Sequence, residues 1–121
     1  MTRRILVVED HEDNRQILRD LLANAGYEMI EAENGEQGLT AAAKYRPDLI
    51  LMDIQLPILD GYQATRRLKA DPALKAIPII VITSYALSGD DEKAFAAGCD
   101  AYVSKPYDPI ALLAIIRQYL G

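Results

Sequence analysis

Tryptophan is absent from the 121-residue sequence, and cysteine, histidine and phenylalanine occur once each. A single thiol, Cys99, cannot close an internal disulfide. With no companion nucleophile pattern around it, Cys99 reads as a packing residue ahead of a strand. No apolar run approaches the ~20 residues that cross a bilayer. Arg3 and Arg4 are followed by only four apolar residues before Glu9, which excludes a secretory leader. These absences point to a reducing compartment, most simply the cytoplasm, and to no membrane partner. Positive charge is also scarce. Thirteen Lys+Arg stand against eighteen Asp+Glu for a net charge of −5, so phosphate backbones and anionic lipid are repelled and no direct nucleic-acid partner is expected. A Gly-rich phosphate loop is lacking as well.

What is present is enough for one core. Half of the residues are hydrophobic and 26% charged, which excludes disorder, and the length suits a single domain spanning 1–121. Ile5 to Val8 is short, β-branched and continuously apolar, the pattern of a strand buried on both faces of a parallel sheet. Ile17, Leu18, Leu21, Leu22 and Ala25 then form one inward stripe of an amphipathic helix closed by Gly26, with Glu12 and Asp13 capping its start. The alternation repeats four times. A strand over 27–31 precedes a helix over 35–45 capped by Asn34. A strand over 49–52 precedes a helix opened by Asp60 with Gln63 and ended at Asp71-Pro72. A strand over 79–82 precedes a helix capped by Ser88 with Asp91 and running through Ala94 and Phe95 to Gly98. A strand over 101–103 precedes a helix with Asp108 as cap, Pro109 in its first position, and Leu112, Leu113, Ile116 and Leu120 inward. Strict β-then-α alternation requires right-handed crossovers and a parallel sheet covered on both faces. The expected fold is doubly wound α/β with strand order 2-1-3-4-5, whose ligands bind beyond the strand C-termini at the switch between strands one and three.

That switch point is acidic. The first strand ends in Glu9-Asp10 and the third in Asp53, so three carboxylates meet at one mouth. A like-charged pair at ~4 Å costs on the order of 4 kcal/mol at an effective dielectric near 20, a conflict that a divalent cation relieves. Mg²⁺ takes hard oxygen ligands, and Asp10 and Asp53 are the favoured direct ones, with Glu9 acting through water; Mn²⁺ is a possible substitute. The fourth strand ends at Thr83 and the fifth runs into Lys105-Pro106. Each alone reads as an ordinary strand-end hydroxyl or surface charge. Together with the acids they form a phosphoryl site, in which Asp53 attacks phosphorus while Lys105 and Thr83 bind its oxygens.

The segments Ile5 to Asp10, Asp48 to Pro57, Asp60-Gly61, Thr83-Ser84, Gly98 to Tyr102 and Lys105-Pro106 together resemble the response-regulator receiver domain, across essentially the whole chain. The resemblance implies a flavodoxin-like (βα)5 fold. It implies that Asp53 accepts a phosphoryl group from a histidine kinase or histidine phosphotransfer protein. Mg²⁺ would be held by Glu9, Asp10, Asp53 and the backbone carbonyl of Gln55. It further implies that Thr83 and Tyr102 act as a switch read by a downstream protein on the face of the fourth helix, fifth strand and fifth helix, and that the Lys105–Pro106 bond is cis. Gln55 and Tyr85 take positions that flank the phosphoryl group, where a bulky Tyr85 is expected to lengthen its lifetime. His11 is expected to be solvated.

Two other classes compete. An aspartyl-nucleophile metal-dependent phosphohydrolase needs the same logic, but such enzymes typically place a second acid where Gln55 stands, and 121 residues leave no cap domain. A flavodoxin-like electron carrier would meet a flavin phosphate with the repelling loop Glu9-Asp10-His11-Glu12-Asp13. The expectation is a switch whose only catalysis is its own phosphorylation and dephosphorylation. No output segment follows the last helix, so a stand-alone receiver is expected, with the receiver portion of a longer regulator or hybrid kinase as the alternative.

Overall fold

The computed structural model describes residues 2–83 and 90–120. Five strands, β1 (Arg4–Val8), β2 (Glu28–Ala32), β3 (Leu49–Asp53), β4 (Ile79–Thr83) and β5 (Ala101–Ser104), alternate with α1 (Glu12–Asn24), α2 (Gly35–Tyr45), α3 (Gly61–Ala70), α4 (Asp90–Ala97) and α5 (Pro109–Leu120). The strands pair in parallel in the order β2-β1-β3-β4-β5. The doubly wound sheet read from the sequence is therefore the observed one.

Strand periodicity divides the core into two layers. Leu6, Val8, Ile50, Met52, Ile79 and Val81 face Ala42, Ala64, Leu68 and Ala94 of α2, α3 and α4. Their chain neighbours Ile5, Val7, Leu49, Leu51, Ile80 and Ile82 face Leu18 and Leu22 of α1 and Leu112, Ile116 and Leu120 of α5. Every residue of β3 and β4 is buried, which accounts for their continuous apolar sequence. Cys99 is buried against the first layer, and its thiol is pushed up to about 11 by burial and then by the neighbouring Asp100 charge, as suits a packing role.

The caps follow the sequence closely. Asn34 accepts from the Gln37 N–H at 2.8 Å, and Asp60 accepts from the Gln63 N–H at 2.9 Å while the Gln63 amide returns to Asp60 at 3.2 Å. Asp108 accepts from the Ile110 N–H at 2.9 Å. The expected Ser88 cap lies outside the described residues. Two expectations are corrected. Glu12 and Asp13 are not caps, because the cap position is His11, without a side-chain bond, and the two acids sit inside the first turn where they complement the helix dipole. Ile17 is not inward. It is 55% exposed and lines a cavity of about 420 Å³ on that side of α1. Leu113 faces inward as expected, half-buried against the α1–α5 layer of the core.

The loop from β3 to α3 holds a strained residue. Ile58 has φ +73° and is 76% exposed, and the Leu59 N–H donates to the Pro57 carbonyl at 2.8 Å, closing a three-residue turn around it. A β-branched residue pays for that backbone region without recovering burial. Ile58→Gly is expected to raise the free energy of unfolding by about 1 kcal/mol, the strain relieved minus the greater entropy of glycine in the unfolded chain. Urea unfolding of the two proteins checks it, and a less stable variant would show that the turn is not strained.

Candidate functional site

The C-terminal edge of the sheet gathers the chemistry. Glu9 follows β1, Asp53 closes β3, Thr83 closes β4 and Lys105 follows β5. Register forces this convergence, since Val8 pairs with Met52, Asp53 with Ile82 and Thr83 with Ser104. The Glu9 N–H is anchored on the Ala32 carbonyl at 3.0 Å, and the Lys105 N–H on the Thr83 carbonyl at 2.6 Å. Glu9, Asp53 and Thr83 are buried, at 3%, 7% and 0% exposure. The Lys105–Pro106 peptide is cis.

Lys105 reaches between the two acids. Its Nζ lies 3.2 Å from Glu9 Oε2 and 3.5 Å from Asp53 Oδ2. The other Glu9 oxygen accepts from Asn14 Nδ2 at 2.9 Å and from the His11 N–H at 3.3 Å. The backbone N–H of Gln55, whose side chain is exposed, donates to Asp53 Oδ1 at 3.4 Å. One cation cannot neutralise two buried carboxylates, and the pair divides accordingly. Burial, then the hydrogen bond and charge of Glu9, push Asp53 up to about 7 against the pull of Lys105. Burial works to raise Glu9 too, but hydrogen bonds from Asp53 and Asn14 and the Lys105 charge outweigh it and hold Glu9 down at about 2. As pH rises, Glu9 therefore ionises first and Asp53 is the acid of the pair that keeps its proton longer.

Asp10 completes the acid group. Its Oδ1 is buried without a hydrogen bond, although His11 Nδ1 lies 3.1 Å away, near enough for an ion pair but out of hydrogen-bonding alignment. The His11 ring is exposed as expected, yet its Nδ1 is also 3.2 Å from Glu9 Oε1. Ligand atoms of Glu9, Asp10 and His11 lie within 4.8 Å of one another. A buried oxygen with no donor, beside the Glu9 carboxylate, suits a hard divalent cation, although Asp53 is not within the mutual reach of that group.

Tyr102 lies in β5 on the opposite core layer from Ile82 and Val103. It is paired with Val81 and packed half-buried against the α2–α3–α4 layer. Tyr85 lies outside the described residues. Two contributors were missed in the sequence: Asn14, which bonds Glu9, and Arg15, which is buried at 6% exposure. Arg15 stands three and seven residues before Leu18 and Leu22, on the buried stripe. That spacing was the available signal, obscured because the stripe was traced through apolar residues alone.

A parallel five-stranded sheet in the order 2-1-3-4-5, with paired acids, a lysine and a strand-end threonine at its carboxyl edge, defines a class. The chain matches the response regulator receiver domain over residues 5–117 and belongs to that family, the phosphorylation-switched modules of two-component signalling. It is similar to a particular regulator, the polar-differentiation response regulator DivK of Brucella anthropi, with 45% identity over 121 residues covering 100% of this chain and 98% of that protein. The receiver domain of sensor histidine kinase PA1611 from Pseudomonas aeruginosa PAO1, solved with a magnesium ion coordinated in its active-site cleft, is 37% identical. It superimposes with a TM-score of 0.93, covering 100% of this chain and 99% of that one. The chemotaxis protein CheY4 of Vibrio cholerae is 27% identical with a TM-score of 0.91, covering 98% and 99% of the two chains. Among the described residues no helix is long and apolar enough to cross a membrane.

Proposed function

We propose that residues 1–121 act as one receiver domain that accepts a phosphoryl group on Asp53 from the phosphohistidine of a sensor kinase or phosphotransfer protein. The observation that carries this reading is the placement of Lys105 Nζ at 3.5 Å from a buried Asp53 beside a second buried acid. An ionised Asp53 oxygen attacks phosphorus, forming an O–P bond as the P–N bond to the donor imidazole breaks. The imidazole leaves with the electron pair and takes its proton from solvent. Lys105 neutralises charge on the phosphoryl oxygens and Thr83, at the end of β4, donates a hydrogen bond to one of them. Glu9, Asp10, Asp53 and the Gln55 carbonyl would hold Mg²⁺, or Mn²⁺ in its place, which when bound supplies charge neutralisation at the carboxylates and the phosphoryl oxygens.

The product is an acyl phosphate carrying about −1.5 to −2 charge, enough to bias a two-state element. Thr83 and Tyr102 form that element, and its change is read by a downstream protein on the α4–β5–α5 face. Gln55 and Tyr85 set how readily water removes the phosphoryl group. Catalysis is limited to the protein's own aspartate, since a phosphohydrolase acting on free substrates would place an acid at residue 55. The regulator works in the cytoplasm, through protein contacts alone, without nucleic acid or membrane.

Intact-protein mass after incubation with acetyl phosphate tests the reading. A gain of ~80 Da that needs Mg²⁺ and is absent in Asp53→Asn is expected. A gain that persists in Asp53→Asn would place the acceptor elsewhere.

A further inference from the structure

Arg15 has no part in the chemistry above, yet it is the most deeply buried cation among the described residues, its side chain 7% exposed. Arginine is almost never buried to this degree unless paired. Its Nη1 donates to the main-chain carbonyl of Glu9 at 2.7 Å, a fully buried bond. Its Nη2 reaches Glu12 Oε2 at 2.6 Å and lies 3.4 Å from Glu33 Oε1, while Nε donates to Glu31 Oε1 at 3.2 Å. One planar group thus joins three segments: the end of β1, the first turn of α1, and the end of β2 with the residue after it. Arg19 shares Glu12 and Glu31 but makes no contact with Glu9.

The Glu9 backbone is clamped at both ends by this arrangement, its N–H on the Ala32 carbonyl and its C=O on Arg15. Glu9 and Asp10 are adjacent acids that repel each other and Asp53, so a looser turn lets their carboxylates splay apart. The Arg15 charge is already matched by three glutamates, and what it gives the turn is geometry rather than field.

We propose that Arg15 is a positioning residue for the divalent-cation site, holding the Glu9 carbonyl so that the Glu9 and Asp10 carboxylates stay convergent, and tying that turn to the β2 edge through Glu31 and Glu33. The inference rests on the cation reading above. Groups that orient metal ligands commonly cost 10- to 100-fold in affinity when removed.

Calorimetric titration of Mg²⁺ into the full chain and into Arg15→Lys, Arg15→Met and Arg19→Gln tests it, with thermal unfolding of each in parallel. The Mg²⁺ Kd is expected to rise about tenfold in both Arg15 variants and to stay within about twofold in Arg19→Gln. Lysine keeps the charge but cannot serve the carbonyl and the glutamates at once, so it is not expected to rescue binding. A Kd within about twofold of wild type in both folded Arg15 variants, with only the melting temperature lowered, overturns the proposal by assigning Arg15 a structural role alone. A tighter Kd in Arg15→Met overturns it too, by showing that Arg15 acts through its charge. Where Arg15→Met fails to fold, the Glu31→Gln/Glu33→Gln double variant replaces it, leaving the carbonyl bond but freeing the far side of the guanidinium. Roughly threefold weakening supports the proposal and an unchanged Kd overturns it. Failure of the underlying reading looks different, because wild type itself then shows no Mg²⁺ binding.

Discussion

Asp53→Asn is expected to be more stable than wild type at pH 8 without Mg²⁺, and to lose most of that advantage at pH 5. Asp53 has its pKa raised from 3.8 to about 7 in the folded protein, by burial first and Glu9 second. An acid that holds its proton more tightly when folded contributes stability that is complete below its unfolded pKa and is lost as pH rises through the folded one. Glu9, held down at about 2, has the opposite effect, but its window lies below 4.5 and does not overlap the measurement. Between pH 5 and pH 8 the Asp53 contribution therefore falls while asparagine stays neutral. At ~1.4 kcal/mol per pH unit, and discounting for water at the open mouth of the cleft, wild type should lose about 2 kcal/mol relative to the variant. That corresponds to roughly 8 °C in melting temperature. Saturating Mg²⁺ stabilises wild type preferentially and should shrink the difference at pH 8. Equal differences at both pH values would mean that Asp53 is solvated and unperturbed.

Gly61→Ala should be destabilising by about 3 kcal/mol, at the upper end of what overpacking costs. A Cβ on Gly61 would run into the Asp53 carbonyl oxygen and the Ile54 Cα, well inside contact distance, and both are backbone atoms that no rotamer change can move aside. Gly26→Ala is the control. Its φ of +87° strains any side chain, but no atom lies within 4 Å of the new Cβ, so a cost of about 1 kcal/mol is expected. Urea unfolding separates the two. Because the clash at Gly61 displaces the peptide of Asp53 itself, the rate of phosphorylation should fall as well, which the mass measurement reads. A Gly61→Ala protein as stable as the control would mean that the loop after β3 shifts freely.

The sequence made the fold legible where local and long-range demands coincide. β3 and β4 are buried on both faces and read as unbroken apolar runs, and Asn34, Asp60 and Asp108 hold the capping bonds their positions announced. The site was readable for a related reason. In a parallel sheet every strand delivers its last residue to one edge, so Glu9, Asp53, Thr83 and Lys105 could be placed together without knowing a single distance. Misreadings arose where tertiary partners decide. The stripe through Ile17 presumed a covering neighbour on that side of α1, and only the packed structure shows a cavity there instead. Arg15 falls on the buried stripe of Leu18 and Leu22, but that this position takes a cation depends on Glu12, Glu31 and Glu33, which the spacing along α1 does not announce. The left-handed backbone of Ile58 carries none of the Gly or Asn that signals such a turn.

The two core layers are also two sides of a partition. Glu9, Asp53 and Lys105 open onto the cavity between α1 and α5, whereas Thr83 follows the pleat of Ile79 and Val81 and belongs, with Tyr102, to the side of α3 and α4. On the proposed reading, Asp53 and Thr83 would approach one phosphoryl group at the carboxyl edge of the sheet from its two opposite layers. Writing and reading the signal are then separable by genetics. A substitution at Asp53 or Lys105 should leave a regulator that is poorly loaded, and one at Tyr102 a regulator that is loaded and silent.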